Sequence, residues 1–213
     1  MVNKGNIVPL ILVGGAARVG KTTVVRKLLE TYPYYSLSID NLKYMVRKSG
    51  LIKRQISSQD FYCPEAWLKK VRERDFSLWQ WTKEYIISSL NHNLPLIVEG
   101  GIWADYVNES IEEFVSANDK VKIITLFIVD STNTIEASKR FLALKNSDPY
   151  NWLNKYNEEQ ISLYAECNKF RTDNTIELVN NYNYLVYDIN DYGHQIHIEE
   201  YLYNQNKIKK LTK

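Results

Sequence analysis

The sequence predicts an α/β protein, built on one mainly parallel sheet with helices on both faces. Two observations lead there. Short apolar runs alternate with longer amphipathic stretches along the chain. Strands separated by helical sequence need crossover connections, which give parallel pairing. Glycine is also scarce yet concentrated: there are 8 among 213 residues, where average usage of about 7% would give about 15. Five of the 8 fall at two points, Gly14, Gly15 and Gly20 at one and Gly100 and Gly101 at the other.

The elements follow in order. Val8 to Val13 is a buried-strand run, with Pro9 tolerable only near its start. Lys21 to Glu30 reads as a helix that ends before Tyr32-Pro33. Tyr35 to Ile39 alternates as a second strand, and Asn41 to Lys48 is a short helix stopped by Gly50. Pro64 to Leu90 is long helical sequence with proline at the first helical position. Trp67, Val71, Leu78 and Tyr85 give it a rough stripe, with a break expected near Asp75. Leu94 to Val98 is a third strand, and Trp103 to Ser116 is a helix. Val121 to Val129 is a fourth strand and the most apolar run in the chain. Thr132 to Leu144 and Asn151 to Thr172 are helical, Tyr184 to Tyr187 is a fifth strand, and a terminal helix runs from about His194 to Ile208. The Asn-, Lys- and Asp-rich stretch 131–175 reads as a mobile insertion over one end of the sheet. No repeat and no linker divides the chain, so residues 1–213 are read as one domain.

Composition narrows the function. Hydrophobic residues at 45% and charged residues at 24% are those of an ordinary globular protein, and the net charge of +2 offers no broad basic field for nucleic acid or membranes. No apolar run reaches the roughly 20 residues of a membrane helix, and the run at Ile7 to Val13 lacks a signal-peptide pattern. Cys63 and Cys167 have no metal-ligand spacing, which fits a reduced, cytoplasmic setting. His194 and His197 lack a third ligand, the tryptophans Trp79 and Trp81 are read as packing, and the basic tail Lys207 to Lys213 is read as frayed.

The strongest signal is local. Gly15-Ala16-Ala17-Arg18-Val19-Gly20-Lys21-Thr22 fits G-x-x-x-x-G-K-[ST] without a mismatch, between an apolar strand and a helix. A loop that wraps phosphate oxygens must turn its N–H groups inward, which needs glycine conformations and small side chains. The helix that follows presents its N-terminus to the anion. Lys21 supplies a charge to the β- and γ-phosphates and Thr22 can hold Mg²⁺. A guanine-reading Asn-Lys-x-Asp is missing, since Asn154-Lys155-Tyr156-Asn157 and Asn168-Lys169-Phe170-Arg171 both lack the final Asp, and no Asp-x-x-Gly occurs, which argues against a GTPase switch.

With that loop in place the sequence resembles the small P-loop kinases: the shikimate-kinase-like, chloramphenicol-phosphotransferase-like and zeta-toxin-like enzymes. The resemblance implies a three-layer P-loop NTPase fold with a five-stranded parallel sheet in the order 2-3-1-4-5, a helical acceptor-side region at about 41–92, and a lid at about 131–175. It implies an ATP-dependent phosphotransferase using ATP and Mg²⁺, with the nucleotide on Gly15, Ala16, Ala17, Arg18, Val19, Gly20, Lys21, Thr22 and Thr23. The acceptor would be a small molecule meeting a hydroxyl or phosphate near Asp40, Gly100 and Gly101.

Each residue has two readings. Asp40, at the end of the second strand, can orient and deprotonate an acceptor hydroxyl, or cap the helix that follows. Glu99, at the end of the third strand, can hold a Mg²⁺-bound water, with Asp130 competing for that role. Gly100 and Gly101 admit a close substrate or make a tight turn. Arg140 falls where a lid arginine would neutralise the transferring phosphate, or else it is a solvated helix residue. Lys145, Arg171 and Arg18 are further cations, and the paired arginines typical of such lids are not evident. A regulatory ATPase without an acceptor and a polynucleotide 5′-end or toxin-like kinase are the alternatives.

Overall fold

Leu10, Ile11, Leu12 and Val13 are all fully buried, which a strand achieves only when both faces of its sheet are covered. In the computed structural model this run is β1 (Val8–Gly15), at the centre of five parallel strands. The structure describes residues 7–51, 56–147, 151–191, 198 and 201–202. The strands are β2 (Tyr35–Ser38), β3 (Leu96–Glu99), β4 (Val121–Val129) and β5 (Leu185–Asp188), in the order β2-β3-β1-β4-β5. The helices are α1 (Lys21–Thr31), α2 (Ile39–Lys48), α3 (Pro64–Asn91), α4 (Ala104–Ser110), α5 (Glu112–Ser116), α6 (Thr134–Ser147) and α7 (Glu158–Tyr182), with 3-10 turns at Ser58–Tyr62 and Trp152–Lys155.

Alternate residues of each strand face opposite layers. Leu10 and Leu12 join Trp79, Trp103 and Val107 beneath α3, α4 and α7. Ile11 and Val13 join Val24 and Leu28 of α1, with Tyr187, Ile198 and Leu202. The register sets Val13 beside Glu99 and Gly15 beside Ile128, so the ends of β1 and β3 share one rim of the sheet.

Four expectations change. α2 starts at Ile39, so Asp40 lies in its first turn and Ser38 holds the cap position; Asp40 is not the capping residue. α3 runs unbroken through Asp75, because that carboxylate is buried among donors that satisfy it. The helix expected over 103–116 is split at Ile111 into α4 and α5. α7 continues ten residues past the expected end, to Tyr182, with Ile161, Ala165, Cys167 and Val179 buried in the core beside α3. The second half of the stretch read as an insertion is therefore a helix of the main body. Of the expected terminal helix, only Ile198, Tyr201 and Leu202 fall among the described residues; His194, His197 and the basic tail lie outside them. Trp79 is buried and donates to Ser110 while Trp81 is exposed, and both cysteines are free thiols. Among the described residues no helix is long and apolar enough to cross a membrane.

Candidate functional site

The loop between β1 and α1 takes the conformation its glycines permit. Gly15 has φ +130°, Arg18 φ +64° and Gly20 φ +86°. A Cβ on Gly15 would lie 2.1 Å from the backbone oxygen of Ile128, so no other residue fits there. Gly20 is the N-cap of α1 and no side chain caps that helix. Its first N–H groups are thus available to an anion. Two partners brace the loop from a distance. Asn168 of α7 accepts from the Ala17 N–H and donates to the Ala17 carbonyl, both at 3.3 Å. Arg18 donates to Asn151 Oδ1 at 2.7 Å and lies over the Trp152 ring. Nothing in the local motif points to either asparagine.

Lys21 Nζ donates to the Ala16 carbonyl at 2.5 Å. Burial lowers its pKa to about 8; Arg171 and Lys43 push the same way, while Asp40 and Glu99 oppose. A half-buried lysine whose surroundings disfavour its charge gains from an added anion, which a phosphate supplies. Thr22 and Thr23 are exposed in the first turn of α1, and Thr22 Oγ1 donates to Glu99 Oε1 at 3.5 Å. That pairing separates the two competing carboxylates. Glu99 is buried opposite Thr22, whereas Asp130 is bound to Arg140 at 2.7 Å and accepts from the Thr132 N–H at 3.1 Å. A hydroxyl and a carboxylate beside a phosphate loop are the hard oxygen donors that suit Mg²⁺. Among the described residues no group of three or more His, Cys, Asp or Glu could hold a metal alone.

Beyond the loop opens a cavity of about 530 Å³. Lys21 and Gly15 bound it on the loop side, Asp40, Lys43, Tyr44 and Arg47 of α2 on a second, and Trp67, Arg74 and Asp75 of α3 on a third. Trp152, Lys155, Tyr156, Tyr164 and Arg171 close it from the segment after α6 and from α7. Asp40 is exposed to this space and takes a hydrogen bond from Lys43 at 2.7 Å. Burial raises the Asp40 pKa, but the Lys43 charge and hydrogen bond, with Lys21 and Arg74, outweigh it and hold the carboxyl below its ordinary value. It is therefore an anion poised beside the loop.

One wall of the cavity rests on a buried carboxylate. Asp75 Oδ1 accepts from Arg74 Nε at 2.9 Å and Nη2 at 2.6 Å. Its Oδ2 accepts from Trp103 Nε1 at 3.2 Å and Arg171 Nη2 at 3.3 Å. Arg171 and Arg72 lie over the Trp103 ring at 4.6 and 4.7 Å, and Arg72 also pairs with Asp105. The second glycine pair serves this arrangement. A Cβ on Gly101 would lie 2.7 Å from Asp75 Oδ2, and one on Gly100 (φ +142°) 2.7 Å from Ile39 Cβ. The close approach that these glycines allow is thus made by Asp75 and Ile39, and only Gly101 also lines the cavity.

The structure brings Lys21, Thr22, Glu99, Asp40 and Gly101 to one rim. It does not bring Arg140 there. That residue lines a separate small cavity with Asp130, Ala17 and Arg18. The cations that act on Lys21 are Arg171 and Lys43, while Lys145 donates to the Tyr156 carbonyl at 2.8 Å. Sequence reading missed Asp75, whose signal was an acid within an apolar helical stripe, and Asn168 and Asn151, for which there was no signal.

The architecture is a five-stranded parallel sheet in the order 2-3-1-4-5, with helices on both sides and the glycine-rich loop after β1. Among solved structures, a putative kinase from Chloroflexus aurantiacus J-10-fl superposes with TM-score 0.52 at 18% identity, over 79% of this chain and 80% of that one. A gluconokinase from Sinorhizobium meliloti 1021 gives 0.46 at 12% identity, over 86% and 84%. A deoxyadenosine kinase from M. mycoides gives 0.43 at 13% identity, over 95% and 100%. No family model matches the chain, and no curated protein matches it. The first of these likenesses describes the fold alone.

Proposed function

We propose that this protein is a kinase that moves the γ-phosphate of ATP to a hydroxyl or phosphate of a small-molecule acceptor. One observation carries the reading: the phosphate-loop lysine, the Thr22–Glu99 oxygen pair and the ionised Asp40 all meet at one rim, beside a cavity large enough for a second substrate. Small-molecule sites commonly occupy about 300–1,000 Å³.

The roles follow from charge and position. The backbone of residues 15–20 and the N-terminus of α1 bind the phosphates, and Lys21 balances their charge. Thr22 and Glu99 would hold Mg²⁺, directly or through water, and the ion would neutralise charge on the nucleotide phosphates. Asp40 orients the acceptor and takes up its proton where that group is a hydroxyl. Arg171 adds positive charge beside Lys21. The remainder of catalysis is positioning in a site walled by aromatic rings.

The test is a screen of acceptors with γ-labelled ATP. Lys21→Ala is expected to abolish transfer. Asp40→Asn is expected to lower the transfer rate about 10²–10⁴-fold while ATP affinity, measured by titration, stays within about twofold. ATP hydrolysis that no acceptor stimulates would instead indicate an ATPase, and full transfer in Asp40→Asn would remove Asp40 from the chemistry.

A further inference from the structure

The large cavity holds more positive charge than ATP chemistry at its edge uses. Among the described residues six cationic side chains line it, Lys21, Lys43, Arg47, Arg74, Lys155 and Arg171, against two carboxylates, Asp40 and Asp75. The whole chain has a formal net charge of only +2, so the excess is concentrated in this one space. Lys21 belongs to the phosphate loop and Lys43 is bound to Asp40. Asp75 is a single carboxylate shared by two arginines. The Arg171 side chain is only 8% exposed, and its Nε has no hydrogen-bond partner. Buried Arg171 and half-buried Arg74 share one carboxylate, which leaves one positive charge and the Arg171 Nε donor unmet, an arrangement that costs free energy unless an anion completes it.

The remaining two cations are exposed and meet no carboxylate among the described residues. Each lies over a ring. Arg47 lies 5.9 Å from the Tyr44 centroid, and Lys155 lies 4.8 Å from the Tyr156 centroid and 5.8 Å from that of Trp152. Tyr44 and Trp152 are themselves exposed, at 55% and 38%. Deeper in, Tyr164 packs edge-to-face on Trp67 and tilted on Phe61, and the three rings give the same space an apolar wall. Exposed tyrosine and tryptophan rings beside cations that meet no carboxylate among the described residues suit a flat ring that carries negative charge. A polyol would leave the rings unused, and a neutral aromatic would leave the cations uncompensated.

We propose that the acceptor is an aromatic anion: a planar ring that stacks among Tyr44, Trp152 and Tyr156, joined to a phosphate or carboxylate bound by the Arg74–Arg171 pair and by Arg47 or Lys155. This rests on the kinase reading for the word acceptor, but the binding it describes does not depend on transfer.

The test is a binding titration on the full chain, followed by calorimetry with the phosphate loop saturated by a non-hydrolysable ATP analogue. The probes are the nucleoside 5′-monophosphates, the same nucleosides without phosphate, ribose 5-phosphate, and hydroxybenzoates as ring carboxylates. At least one ring-bearing anion is expected to bind tenfold or more tighter than both its neutral ring and the ringless phosphate. The nucleotide and benzoate arms distinguish phosphate from carboxylate. Arg47→Ala and Lys155→Ala change exposed residues and leave the fold intact; one or both are expected to weaken that anion at least fivefold and to lower the salt dependence of binding. Equal binding of the neutral ring or of ribose 5-phosphate overturns the proposal, as does the failure of every ring-bearing anion to saturate. The kinase reading fails separately: a ring-bearing anion that binds but is never phosphorylated leaves this inference standing, and phosphorylation of neutral polyols alone does the reverse.

Discussion

The proposed donor and acceptor halves of the site are built in different ways. The donor half is local: ten consecutive residues, 14–23, carry its shape in their backbone, and the side chains that matter are few. The acceptor half is assembled from α2, α3, α7 and two 3-10 turns, and its key contact joins residues 96 apart, Arg171 and Asp75. A backbone-built site tolerates no change at its glycines. A site built from side chains fails when its supporting charges are lost. The two halves are therefore expected to break through different residues and with different signatures.

The largest effect is expected on the donor side. Gly15→Ala places a Cβ 2.1 Å from the Ile128 carbonyl oxygen, at φ +130°. Neither backbone can move without breaking the pairing of β1 with β4. Strain and overpacking together are expected to cost about 4 kcal/mol or more, read as a lower urea midpoint and lost nucleotide binding. Gly50→Ala is a control, because that glycine has φ +79° but nothing within 4 Å of its Cβ position. It is expected to cost about 1–2 kcal/mol and to leave nucleotide affinity unchanged.

Next comes the carboxylate beneath the acceptor cavity. Asp75→Asn keeps the shape but removes the charge that Arg74 and Arg171 share, and the expected loss is about 3 kcal/mol, since a buried arginine is left uncompensated. Nucleotide affinity should survive wherever the variant is folded, while acceptor affinity should not. The double change Asp75→Leu with Arg171→Met removes the buried charge pair instead of breaking it. It is expected to regain part of the stability and none of the acceptor binding. A double variant that binds acceptor normally would show that the pair serves packing alone.

These two variants also mark how far the sequence was legible. The phosphate loop, the five strands and the placement of Glu99 near it could be read because each depends on neighbours in sequence or on burial of both sheet faces. The strand order came from the family likeness that the loop allowed. Asp75 could not be read correctly, because an acid in an apolar helical stripe looks like a break until its partners are known, and Trp103 and Arg171 lie 28 and 96 residues away. Asn168, 151 residues from Ala17, was hidden for the same reason. Arg140 was placed by analogy of position, and a salt bridge to Asp130 turns it elsewhere.

A third prediction uses pH, and its sign differs between folding and binding. Lys21 titrates near 8 in the folded protein against an ordinary 10.5, because burial disfavours its charged form. Below about 8 it is charged in both folded and unfolded chains, so the full penalty applies. Between about 8 and 10.5 the unfolded chain binds the extra proton, and this group's contribution to stability rises with pH. Nucleotide binding is strengthened by the ammonium and runs the opposite way, falling about fivefold from pH 8 to pH 9 as the charged fraction drops. Calorimetry of an ATP analogue at pH 8.5 in buffers of different ionisation enthalpy should therefore show proton uptake. Lys21→Met should abolish that uptake. An uptake that survives the substitution would assign the proton to another group.

The smallest effect separates two arginines, of which the sequence reading put Arg140 ahead of Arg171. Arg140 is held by Asp130 at 2.7 Å and shares its small cavity with Ala17 and Arg18, on the outer side of the phosphate loop. Its side chain is one-third exposed, so the pair contributes no more than about 1 kcal/mol to stability. Arg140→Gln is expected to act through the loop alone, raising the KM for ATP two- to fivefold with little change in kcat or in the KM for the acceptor. Arg171 faces the other cavity, and Arg171→Gln should show the converse split, with acceptor KM and kcat changed far more than ATP affinity. The steady-state constants of the two variants form a crossed comparison. Equal patterns would merge the two halves into one site, and an Arg140→Gln variant that loses kcat would return the phosphate-neutralising role to α6.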